Sequence, residues 1–323
     1  TTSTMSAIEE AVITTGSSKE EARAKSPLNH KNYLNLIAYI FNITLVYGVG
    51  NAGWLGTPDN GELSLKYQTI ITPNGTAFSI WAIIYLAQGA FAVSQFLPRF
   101  RSHPMVQDGL SYWYVGVVAT QIGWTFAFAY EVIPLSLAFM LMIWICLIGL
   151  LYMQYHTESD GTLLEFWVLR FPFSVHAGWI TAASALNVNV QVVSMNSPAD
   201  VQLAVAIVSL AVLHAVSVWS LFNIPRPNWT IACVLSWAFA WIFVELGNDI
   251  EKITSTFAPD IIGGVRYAAI AVCFIILFQV VLRLVLLVRP SYNPYRKESD
   301  EEGTMDGVGS TDGLVITEAG VDD

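Results

Sequence analysis

The chain has 323 residues, of which 54% are hydrophobic, 13% aromatic and only 12% charged, and its formal net charge is −10. Long windows without an ionised group exclude an ordinary soluble domain and mark an integral membrane protein, and the lack of a basic patch excludes nucleic acid as a partner. The acidity is local: residues 298–323 hold nine of the 25 acids and no Lys or Arg, so 16 acids against 15 bases remain elsewhere.

Residues 1–30, rich in Ser, Thr and mixed charge, read as a disordered tail. The first apolar run starts after residue 32 and is long enough to span a bilayer, so no cleavable signal peptide is expected. A spanning helix needs about 20 apolar residues. Eight windows meet that count, near 33–53, 78–97, 111–130, 133–155, 164–194, 200–222, 228–247 and 264–288. They are continuous and too long for the alternating strands of a barrel. The expected fold is therefore an all-α polytopic membrane protein. Its segments are a tail over 1–30, a five-helix bundle over 31–194, three additional C-terminal transmembrane helices over 195–290 and an acidic tail over 291–323.

The second window opens TPNGTAFSIWAIIYLAQGAFAV. Pro73 and Gly75 break the preceding loop, and Trp81, Tyr85 and Gly89 step by four along one helical face. Gly89 is small enough for close approach by a neighbour. The third window adds Gln121 and Trp124, one turn apart. In the fifth, Trp179-x-x-x-Ala183-x-x-Leu186-Asn187 sets an indole and an amide at lipid depth, where no water satisfies them. Such groups must face protein, a cavity or a ligand.

Basic residues set the expected orientation. With eight spans, Lys19, Arg23, Lys25, Lys31, Arg99, Arg101, Arg226, Arg289, Arg296 and Lys297 share one side, against Lys66, Lys252 and Arg266 on the other. That bias places both termini in the cytoplasm or its equivalent. The sequon Asn74-Gly75-Thr76 then lies on the opposite side. Cys146, Cys233 and Cys273 all fall inside spans, where burial as small apolar residues is expected rather than a disulfide. His176 and His214 are the imidazoles at depth, each able to bond a carbonyl or to ligate a haem iron. Glu245 lies near the end of the seventh window, close enough to reach the interface, and is a candidate for proton coupling.

Taken together, these residues resemble the TspO/MBR family, the translocator or tryptophan-rich sensory proteins. The family's second helix is similar to Pro73, Phe78, Trp81, Tyr85 and Gly89 as they stand here. Its third has an Asn three residues before a Trp, where this chain has Gln121 before Trp124. Its fifth is similar to Pro172, Phe173, Trp179, Ala183, Leu186 and Asn187. The agreement spans roughly residues 33–193, and with the further windows the chain is similar to a longer, eight-span branch. Ser79-Ile80 replaces the family's Gly-Pro.

The resemblance implies a helical bundle whose aromatic cavity binds flat hydrophobic ligands such as porphyrins, or sterols in some relatives. The site residues it implies are Phe78, Trp81, Tyr85, Gln121, Trp124, His176, Trp179, Ala183 and Asn187. The three Trp would stack on the ligand, Gln121 and Asn187 would hydrogen-bond, and Ala183 would keep the wall thin. Each has a packing alternative, since Trp and amides also join helices. No cofactor is required on this reading, porphyrin entering as ligand. The partners are the hydrophobic small molecule, the lipid bilayer and, through small residues such as Ala211 and Ala215, a homodimer. The other functional reading is a secondary transporter in which all eight spans form the path and His214 or Glu245 couples protons. The sequence shows no nucleophile or metal constellation, so no enzyme is expected.

Overall fold

A computed structural model describes residues 26–224 and 226–288. The acidic tail and all but residues 26–30 of the N-terminal tail lie outside the described residues. Among the described residues the longer helices are α1 (His30–Gly50), α2 (Ile80–Ser94), α3 (Trp113–Ala129), α4 (Ile133–His156), α5 (Phe171–Ser194), α6 (Ala199–Phe222), α7 (Trp229–Glu245) and α8 (Pro259–Val288).

Local sequence explains the boundaries. Asn29 caps α1 reciprocally with Asn32, each side chain accepting from the other's backbone N–H. The 3-10 turn Gly75–Ser79, started by Asn74 accepting from the Thr76 N–H, leads into α2. Pro134 and Pro172 sit in the first turns of α4 and α5, where a missing N–H costs nothing. Asn228 caps α7 by accepting from the Ile231 N–H.

Two expectations are corrected here. Among the described residues only five helical segments are long and apolar enough to cross a membrane: His30–Gly50, Gly75–Ser94, Ile133–His156, Ala199–Phe222 and Pro259–Leu287. The eight-span branch is therefore not supported, nor is a five-helix bundle carrying three additional C-terminal spans. Two C-terminal helices are themselves among the five, and the third, α7, is shorter. The physical reason is that apolar content alone overcounts. At 1.5 Å per residue, the 17 residues of α3 and of α7 reach only about 25 Å, short of a hydrocarbon core of about 30 Å. The remaining window, α5, carries Ser174, His176, Thr181, Ser184, Asn187 and Asn189, and those side chains are buried in protein rather than facing lipid. With five such segments the chain is an integral, multi-pass membrane protein.

Helix α5 is the centre of the packing. It is buried without a break from Pro172 to Thr181, as expected of a helix enclosed on all sides, and it packs against α2, α4, α6 and α7. Helix α3 packs on α1 and α4, and α1 also meets α2. At Gly178 an added Cβ would lie 2.9 Å from Val234 Cβ and 3.3 Å from Ile231 Cα, so α5 and α7 approach at a contact that admits only glycine. One core cluster joins Val117, Ile143 and Ile180 with Leu213, Leu235, Phe239 and Ile276, so α6, α7 and α8 share a core with the helices before them. The compact unit ends at Arg283, and of the second unit, residues 284–323, the described part is the end of α8.

The cysteines divide: Cys273 is buried against Ser236, Cys146 is half-buried, and Cys233 is exposed, contrary to the burial expected of all three. None forms a disulfide.

Candidate functional site

The residues singled out by the sequence fall into three neighbouring groups. The first surrounds a narrow apolar crevice. Phe78 meets Trp179 edge to face, with centroids 5.5 Å apart and planes at 85°. Beside them Ala183 and Leu186 from α5, Leu213 from α6 and Ala238 from α7 line a cavity of about 30 Å³. That volume holds about one water, whereas ligand pockets run to about 300–1,000 Å³. The rings thus fill most of the space between these helices.

The second group centres on Trp81, which packs on the same cluster as Phe78 and Trp179. Trp81 stacks on Tyr85, with centroids 5.5 Å apart, and meets His176 edge to face at 5.6 Å. Gln121 Nε2 donates to Tyr85 Oη at 3.2 Å. His176 is fully buried, and its Nδ1 accepts from Gln88 Nε2 at 2.9 Å. Tyr114 in turn donates to Gln88 Oε1 at 3.2 Å. A neutral imidazole with Nδ1 as acceptor carries its proton on Nε2. That His176 Nε2 and the Gln121 Oε1 are buried atoms with no hydrogen-bond partner. A buried group left so costs about 1–3 kcal/mol, and these two lie beside the Trp81–Tyr85 pair.

The third group is a pair. Trp124 Nε1 donates to Asn187 Oδ1 at 3.2 Å, and the Asn187 amide donates to the Ala183 carbonyl at 3.0 Å. Trp124 also stacks on Phe128 at 5.2 Å.

Sequence reasoning passed over Tyr39, Gln88 and Tyr114, and the asparagines of α1. Tyr39 Oη donates to the Tyr85 carbonyl at 3.1 Å and fills the notch at Gly89, where a Cβ would come within 2.6 Å of it. Asn32, Asn35 and Asn42 are fully buried, and neither Asn42 amide atom has a partner. The signal was available: amides at spacings of three and seven put one face of an apolar helix toward protein.

The proposed proton-coupling residues sit apart from these groups. His214 Nε2 lies 3.3 Å from Gln279 Nε2 on α8. Glu245 works as a latch: Gln68 Nε2 donates to one carboxylate oxygen at 3.0 Å, and Asn74 Nδ2 donates to the other at 2.8 Å. The Asn74 N–H also bonds the Trp241 carbonyl at 3.1 Å, and Trp237 Nε1 bonds the Ala77 carbonyl at 3.2 Å. Together they seat the buried loop 68–73 on α7, where its Ile71 and Pro73 close the crevice. Because Asn74 Nδ2 is committed to Glu245, its sequon is a structural cap rather than an open acceptor.

At the other end of the bundle His103 Nε2 faces Asp160 at 3.5 Å and Glu165 at 3.8 Å, a grouping with metal-ligand residue types. Its Nδ1 accepts from the Met105 N–H at 3.1 Å, so the proton of the neutral ring is on Nε2, the atom a metal would need. Arg170 holds Glu165 at 2.7 Å and Arg99 approaches Asp160 at 3.8 Å. This is an ion-pair clamp. Burial raises the Asp160 pKa, but hydrogen bonds donated by the Thr162 N–H and hydroxyl, with smaller contributions from the neighbouring Glu165 and His103, outweigh it and hold the carboxyl below its ordinary value.

The sequence model described as TSPO-like protein matches residues 32–282, well over half of the chain. The chain belongs to this TSPO-like family. The match runs from the start of α1 almost to the end of α8, so the family covers the C-terminal helices as well as the aromatic motifs. Neither curated proteins nor solved structures yield a match.

Proposed function

We propose that this TSPO-like protein binds a planar hydrophobic ligand of porphyrin type, for transport, sequestration or sensing. The observation that carries this reading is the pair of partnerless buried polar atoms, His176 Nε2 and Gln121 Oε1, beside the stacked Trp81 and Tyr85. Family membership supports it, as does the chemistry of the walls, since indole and phenol faces stack on flat π-systems. Trp81, Trp124 and Trp179 supply such faces, Phe78 and Ala183 border the crevice, and Asn187 exchanges its bond to Trp124 for one to the ligand.

The magnitudes set the mode of binding. A crevice of about 30 Å³ admits a tetrapyrrole only if the rings separate, so ligand entry is a conformational step and not a docking into open space. The loop 68–73 and its Glu245 latch are the part of the wall that is not a continuous helix, and they release first.

The test is to fill the crevice. Ala183→Phe, read by porphyrin absorbance after co-purification of the full chain, removes bound protoporphyrin while the far-ultraviolet helical signal stays. Retention of porphyrin at the wild-type level refutes the site.

A further inference from the structure

A second cavity lies where the loops meet at the Lys252 end of the bundle, and it is about ten times roomier than the aromatic crevice, about 290 Å³ against about 30 Å³. Its walls come from three separated stretches: Gln68 before α2, Asn196, Ser197 and Gln202 at the α5–α6 turn, and Lys252 and Thr256 from the turn that precedes α8. The volume corresponds to about ten waters at about 30 Å³ each. It is too small for a tetrapyrrole and of a size for a small solute.

The chemistry of the walls is one-sided. Lys252 is the one ionisable residue among those lining the cavity. Among the described residues no carboxylate pairs with it. Its Nζ donates to the neutral Lys66 carbonyl, which leaves two of its three N–H donors for other acceptors. Lys252 is an exposed residue, and its partial burial beside the cavity lowers its pKa below the ordinary lysine value. Gln68 is 3% exposed and its Nε2 is committed to Glu245, so its carbonyl oxygen remains as an acceptor. Asn196 is held at φ 52° in the left-handed region, which fixes the turn beside the cavity. Ser197 lines the cavity, and its carbonyl is taken by Gln202 Nε2 at 2.8 Å. Val193 and Ile253 add apolar surface.

The geometry points to a binding site for a small organic anion. Its phosphate or carboxylate group is held by Lys252, a hydroxyl or N–H of the ligand by Gln68, and a short carbon stem by Val193 and Ile253. This inference is independent of the aromatic site. Such an anion has two sources, a soluble metabolite or the headgroup of an anionic lipid entering from the adjacent leaflet, and both carry the same chemistry.

The experiment uses purified full-length chain in an uncharged maltoside detergent. Phosphorus NMR line broadening is followed for two probes, glycerol 3-phosphate and dihexanoyl phosphatidic acid. Saturable broadening by glycerol 3-phosphate identifies a soluble ligand, and saturation by the phosphatidic acid alone identifies a lipid headgroup. In either case Lys252→Gln weakens binding by about tenfold or more, Lys252→Arg retains it, and Lys66→Gln leaves it unchanged. Ser197→Trp, which fills the cavity from the turn without touching the charge, abolishes it as well. Failure of both probes to saturate the wild type overturns the proposal, and so does equal binding in the wild type, Lys252→Gln and Ser197→Trp.

Discussion

Trp124 and Asn187 hydrogen-bond to each other across α3 and α5, indole N–H to amide oxygen at 3.2 Å. Two groups that the family resemblance implies as ligand contacts thus satisfy one another. Replacing Asn187 with Leu leaves a buried indole donor unpaired, at a cost of about 0.6–2 kcal/mol in a membrane helix pair. The expected result is a lower midpoint in denaturant and a blue-shifted Trp124 emission. A Trp124→Phe, Asn187→Leu double variant recovers part of the loss, and a double-mutant cycle measures the coupling.

Trp179 is 3% exposed and holds Phe78 against the crevice. Trp179→Ala opens a void that the surrounding helices only partly close, costing about 3–5 kcal/mol. Trp179→Phe retains most of the packing. Thermal unfolding of both variants checks the order, and a Trp179→Ala midpoint equal to that of wild type contradicts this packing.

Glu245 accepts from Gln68, Asn74 and Asn248. Glu245→Gln replaces an oxygen acceptor by an amide donor that faces donors, so loop 68–76 loosens. Hydrogen exchange of peptides covering residues 66–79 is expected to rise by about tenfold, with the α4 peptides unchanged. Equal exchange shows that Glu245 does not hold the loop.

Glu131 accepts from the Lys66 ammonium and from Tyr67 Oη at 2.7 Å. The hydrogen bond to Lys66, then that to Tyr67, lowers the Glu131 pKa below 4.5. A carboxylate depressed in the folded state stabilises above its unfolded pKa and loses that contribution as pH falls through the lower folded value. Thermal midpoints are therefore expected to fall as pH is lowered past 4.5, and Glu131→Gln flattens that limb. Burial, then the hydrogen bond and charge of Glu131, push Tyr67 up to about 12. In Glu131→Gln its phenolate absorbance appears at lower pH, with Tyr67→Phe identifying the band.

The sequence was most legible where the same residues decide both structure and chemistry. Trp179, Ala183 and Leu186 share a face by spacing alone, and all three border the crevice. Membrane spans were less legible, because a window of apolar residues looks the same whether it faces lipid or protein. Helix α5 illustrates this: His176, Thr181 and Asn189 find Gln88, Trp144 and Ser209 as partners on other helices. Those partners lie 88, 37 and 20 residues away along the chain, a pairing no local pattern reveals. Glu245 shows the same limit: its partners Gln68 and Asn74 stand more than 170 residues earlier, so no local pattern reveals the loop that it holds.

The central claim is that a planar hydrophobic ligand enters among these rings, and a protoporphyrin IX titration of detergent-purified chain, followed by tryptophan fluorescence, tests it most directly. The account predicts saturable quenching in the wild type and an affinity lower by about tenfold in a Trp179→Phe, Asn187→Ala double variant. Quenching that does not saturate, or that is equal in the two proteins, contradicts it.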